Sequence, residues 1–99
     1  MADKGTYKGT DLKYHLDIQA EGFSMENDDF CVDITDNSGK TVHLDKNDCY
    51  FDGDWYICFD TNSLQRGPLT AKVTAWVPDP CYESGYRTEV DKVELDYLH

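Results

Sequence analysis

Cys31, Asp33 and His43 supply a thiol, a carboxylate and an imidazole, the parts of a nucleophile, an orienting acid and a base. They meet only if two short segments pair as strands. Phe30 to Thr35 and Thr41 to Asp45 both alternate apolar and polar residues and are joined through Asn37-Ser38-Gly39. A three-residue loop with Gly39 in the left-handed conformation sets Ile34 against Val42 and Val32 against Leu44. The same register puts Asp33 opposite His43 on the other face, with Cys31 diagonal to both. A two-residue loop would set Ile34 against His43 and turn one apolar face outward, so it is rejected. The outer face of a sheet offers no pocket, helix N-terminus or oxyanion donors. The three residues therefore read as an exposed cross-strand Asp–His pair worth roughly 0.2–1 kcal/mol, with no catalytic residue and no enzyme.

Metal chemistry finds little support in linear spacing. Asp45, Asp48, Asp52 and Asp54 cluster, as do Glu26, Asp28 and Asp29, but neither run has the spacing that wraps an EF-hand loop around calcium. Acidic turns in solvent explain them as well. Cys31, Cys49, Cys58, Cys81 and His43 are singly spaced, whereas structural zinc draws on close pairs. The cysteines read as buried or half-buried thiols acting as small apolar residues, and no metal or cofactor is expected. Four cysteines allow three disulfide pairings that sequence cannot separate; without a secretion signal, free thiols are the default.

The elements that would hold these residues are strands. Asp11 to Ala20 alternate strictly, with Leu12, Tyr14, Leu16, Ile18 and Ala20 on one face. Residues 21–29 read as a connection. Around Asp52-Gly53-Asp54 a second hairpin would give Cys49 and Phe51 the same inner face as Trp55, Ile57 and Phe59. Turn chemistry there favours a tight Asp-Gly turn, and side-chain phase favours a three-residue loop. Asn62 to Gly67 resembles a single helical turn with a glycine stop. Leu69 to Val77 alternate again, ended by Pro78-Asp79-Pro80. Arg87 to Leu98 form a last strand whose phase shifts between Val90 and Val93, as at a bulge. Six or seven short antiparallel strands predict an all-β fold, an immunoglobulin-like two-sheet sandwich, with a small barrel as the alternative. Residues 1–10 read as a flexible N-terminal arm and residues 11–99 as one β-sandwich domain.

Composition fits a thin, aromatic-rich core. Leu, Ile, Val and Phe number 20 of 99 residues, near the lower edge for a globular chain, while Tyr and Trp add nine large side chains. Of the net charge of −11, nine units fall between residues 21 and 60. Such a surface repels phosphate backbones and anionic lipid, which argues against nucleic-acid and membrane partners. No apolar run approaches the ~20 residues of a membrane span, and no signal-peptide core opens the chain, so synthesis in the cytoplasm is expected. The aromatics outside the inner phase point to contacts with other proteins: Trp76 faces away from the core, and Tyr82 and Tyr86 lie in the loop that follows. A Trp76 packed into a second layer is the structural alternative. With Tyr7 of the arm and Arg87, these are the candidate partner-binding residues.

Lys8 to Ile18 (KGTDLKYHLDI), Gly22 to Phe30 (GFSMENDDF), Tyr56 to Thr61 (YICFDT) and Val73 to Leu95 (VTAWVPDPCYESGYRTEVDKVEL) resemble small β-sandwich virion proteins of phages and prophages from gut bacteria. The opening strand after Lys-Gly-Thr is also similar to the N-terminal domain of phage baseplate upper proteins. The resemblance implies a structural part of a capsid, head fibre or tail, present in multiple copies and docked onto other virion proteins. It implies location in the virion after synthesis in the bacterial cytoplasm, and it transfers no catalytic residue. A ligand-binding module with carbohydrate as the candidate ligand, using Trp76, Tyr82 and Tyr86 as a stacking platform, is the alternative.

Overall fold

The computed structural model describes residues 5–99. Seven strands form: β1 (Asp11–Leu16), β2 (Phe30–Thr35), β3 (Thr41–Asp45), β4 (Tyr50–Phe51), β5 (Trp55–Asp60), β6 (Gly67–Pro78) and β7 (Tyr86–Leu98). They make a three-stranded sheet, β1-β5-β4, and a four-stranded sheet, β3-β2-β6-β7, all pairs antiparallel. The chain is an all-β sandwich, and the two sheets do not close into a barrel. Its layering is immunoglobulin-like, while its strand order is its own. In an immunoglobulin domain the second strand shares a sheet with the first and fifth; here β2 lies between β3 and β6.

Phe30, Val32 and Ile34 of β2 are fully buried, joined by Leu16, Ile57, Ala71 and Ala75. Each large side chain buried in this way contributes roughly 1.5–3 kcal/mol. Trp55 meets Phe30 edge-on at 5.4 Å between ring centroids. A smaller cluster of Leu64, Leu69 and Leu98 fills the other end.

The β2–β3 hairpin has the expected register: Val32 opposes Leu44, Asp33 opposes His43 and Ile34 opposes Val42. Gly39 has φ of +92°, the left-handed conformation its loop requires. In the β4–β5 hairpin, Phe51 opposes Trp55, so three residues intervene and side-chain phase prevails over turn chemistry. Phe51 lies at the end of that sheet and stays exposed.

Several boundaries differ from expectation. β1 ends at Leu16, because its partner β5 begins at Trp55, although Ile18 still packs against the core. Lys46–Asp48 form a short 3₁₀ turn capped by Asp45 and Asp48. No helix forms at Asn62 to Gly67. The Asn62 N–H donates to Asp60 and the Gln65 N–H to Asp36, so side chains satisfy these donors, and Gly67 opens β6 instead. The β7 bulge lies at Leu95, where pairing steps from Leu69–Asp96 to Thr70–Glu94, rather than between Val90 and Val93.

Residues 1–4 of the expected arm lie outside the described residues. Thr6 and Lys8 run alongside the end of β7: the Thr6 N–H donates to the Tyr97 carbonyl at 2.9 Å, the His99 N–H to the Thr6 carbonyl at 2.8 Å, and the Lys8 N–H to the His99 carbonyl at 3.1 Å. The Gly9 N–H donates to the hydroxyl of buried Thr61.

Candidate functional site: an open side between two strand edges

β1 and β7 are the terminal strands of their sheets, and both border the same side of the sandwich. At the opposite side, β3 and β4 are bridged by the 3₁₀ turn. Inward positions of β6 alternate Ala71, Val73 and Ala75, so the sheet centre has little side chain to fill the space. The opposing sheet, one strand narrower, leaves the inward face of β7 uncovered. Between the two edges runs a groove of about 450 Å³, floored by Val32, Ala71, Val73 and Ala75. Leu16, Ile18 and Ala20 wall one side, and Val93 and Leu95 the other.

The rim is acidic. Glu89 and Asp91 pair with Ala75 and Val73, which places them in the inward phase of β7, and both are exposed. Asp17 lines the facing wall. Inward-pointing charges on an edge strand discourage indiscriminate strand addition. Among the described residues, Thr6 beside Leu98 makes the only bridge on this edge of β7.

One end of the groove is tied shut across the sandwich. The Tyr14 hydroxyl donates to Asp96 Oδ2 at 2.9 Å, and the Thr6 hydroxyl donates to the same atom at 2.7 Å. Burial, followed by the hydrogen bond and charge of Asp96, pushes the Tyr14 phenol up to about 12.

The candidate partner-binding residues do not form one patch. Tyr82 and Tyr86 are exposed in and beside the β6–β7 turn, and Trp76, opposite Thr88, is half-buried. Arg87 is engaged within the chain: it pairs with Asp79 at 2.7 Å and Glu89 at 2.9 Å and donates to the Glu21 carbonyl, fixing the turn beside the groove. Tyr7 lies against His99, at the other end of β7. Tyr86 and Leu98 stand twelve residue steps apart along extended strand, roughly 40 Å. Other ring pairs lie away from these residues, as in His15–Tyr56 and Tyr50–Tyr56 with Lys13 over both tyrosines.

On the outer face of β2 and β3, Cys31, Asp33, His43 and Asp45 occupy the corners of one cross-strand square. His43 Nδ1 lies 2.5 Å from Asp33 Oδ1, and its Nε2 lies 2.7 Å from Asp45 Oδ1. The hydrogen bonds to Asp33 and then Asp45 raise the His43 pKa and favour the imidazolium. With both ring nitrogens engaged by carboxylates, His43 is not placed to act as a base for Cys31. The thiol is itself buried, and burial, followed by the charge of Asp33, raises its pKa. This is not an activated nucleophile.

The acidic runs serve local structure. Asp48 accepts from the Asp45 N–H, Asp28 from the Ser24 N–H, and Asp29 from the Phe30 N–H. All four cysteines are free thiols. Sequence reading passed over two features. Asp36 is buried and accepts four hydrogen bonds, from the Ser38 N–H and hydroxyl, the Lys40 N–H and the Gln65 N–H. The groove also went unread, although Ala71 and Ala75 at inward positions were its available signal.

No family model matches this chain, and no match is found among curated proteins or solved structures. Function is therefore read from the geometry of the site. Among the described residues, no helix is long and apolar enough to cross a membrane.

Proposed function

We propose that this chain is a non-enzymatic assembly module of a phage-type particle, and that it holds a neighbouring subunit by taking an extended segment of that subunit into the groove between β1 and β7. The groove carries the reading: an apolar floor, two terminal strand edges and an acidic rim at Asp17, Glu89 and Asp91. An added strand would make main-chain hydrogen bonds along an edge and set alternate side chains into the groove. The rim favours a segment with basic residues between its apolar ones. A second copy of this chain, also at −11, would be repelled. The resemblance to small virion sandwiches supports the particle context.

The test is incorporation. Asp17 and Asp91 are exposed, so the double variant Asp17→Lys with Asp91→Lys should keep its stability within about 0.5–1 kcal/mol. Purified particles should contain the wild-type chain and lose the folded variant. A chain absent from particles, or a variant that enters as well as wild type, would overturn the reading.

A further inference from the structure

We propose that Cys31, Asp33 and His43 form a binding site for a zinc-type divalent ion on the outer face of the four-stranded sheet, with Asp45 orienting the histidine. Sγ of Cys31, a carboxylate oxygen of Asp33 and a ring nitrogen of His43 all lie within 4.8 Å of one another. Ligand atoms around tetrahedral zinc, with bonds of about 2.0–2.3 Å, sit roughly 3.3–3.8 Å apart, so small side-chain rotations complete the set. No other set of three such groups comes together among the described residues.

The backbone prepares the site. Cys31 and Asp33 are two residues apart on β2 and therefore share a face, while His43 stands directly opposite Asp33. Paired strands hold ligands more rigidly than a loop would. The second ring nitrogen of His43 is held by Asp45 at 2.7 Å. That is the carboxylate–histidine arrangement which fixes a metal-binding imidazole, here with Nδ1 facing the cluster. A thiolate, an imidazole and a carboxylate together suit zinc better than calcium or magnesium, which take oxygen ligands. The thiolate and the Asp33 carboxylate would neutralise the dication, and the fourth position would fall to water.

The hairpin register already brings the three residues together in the sequence, but they lie two and twelve positions from Cys31, outside the close-pair spacing by which structural zinc is usually recognised. Cys58 and Cys81 are exposed thiols that would bind zinc adventitiously, so the test uses a Cys58→Ser, Cys81→Ser background. Zinc affinity is measured by competition with a chromophoric chelator, and cobalt(II) serves as the spectroscopic probe. The expected result is one equivalent bound at micromolar or tighter affinity, with a thiolate-to-cobalt charge-transfer band. Cys31→Ser should abolish the band, and His43→Gln, an exposed change that spares the core, should abolish stoichiometric uptake. Asp45→Asn should weaken zinc by about 10–100-fold while keeping the band. No stoichiometric uptake, or uptake unchanged in both Cys31→Ser and His43→Gln, would overturn the site.

Discussion

At the scale of single residues, Asp36 is the one charged side chain buried among the described residues. Burial works to raise its pKa, but hydrogen bonds from Gln65, Ser38 and Lys40 outweigh that and lower it to about 2. A folded pKa below the ordinary value of 3.8 means the stabilisation is complete above that value and is lost as pH falls towards 2. Asp36→Ala should cost about 2–4 kcal/mol, because four donors lose their acceptor. Asp36→Asn should cost less and flatten the acid limb of the stability–pH curve. Urea denaturation of wild type and both variants from pH 2 to 7 would check this, and an unchanged acid limb in Asp36→Asn would contradict it. In the sequence, Asp36 is one acid among many in an acidic stretch. Its role depends on Gln65, which is remote along the chain, so nothing local marks it. The Asp33–His43 pair was legible because it follows directly from loop length and side-chain phase.

At the scale of elements, the strands with one wet face and one dry face were the readable ones. β1, β2, β3 and the inward row of β6 follow the period-2 pattern because the opposing sheet buries one side of each. β7 was misread for a physical reason. Its inward positions, Glu89 and Asp91, face an uncovered groove, so polarity no longer reports direction and the bulge at Leu95 left no clear trace. The N-terminal stretch raises a similar issue. A polar, glycine-containing segment has little to bury, yet Thr6 and Lys8 bond along the end of β7, and the Thr6 hydroxyl reaches Asp96. Deleting residues 2–8 should therefore lower unfolding free energy by about 1–3 kcal/mol through these lost bonds, read as a shift in the urea midpoint. A midpoint equal to wild type would show that these contacts add nothing to stability.

At the scale of the whole molecule, charge and shape act together. A chain with net charge −11 resists self-association, and its inward-pointing edge acids resist indiscriminate strand addition. One side of the sandwich is closed by the 3₁₀ turn between β3 and β4, whereas the other stays open between β1 and β7. Under the proposed function, a partner is confined to the open side and selected for basic character. The measurement that tests this most directly is a nuclear magnetic resonance titration of the labelled protein with extended peptides of about ten residues. One peptide alternates Lys and Val, and a control of equal length alternates Glu and Val. The Lys–Val peptide should shift amides at Asp17 to Ala20 and Glu89 to Leu95 and slow amide exchange along the open edge of β7, while the acidic control leaves them unmoved. Equal shifts with both peptides, or shifts confined to residues away from the groove, would contradict a docking site between the two edges.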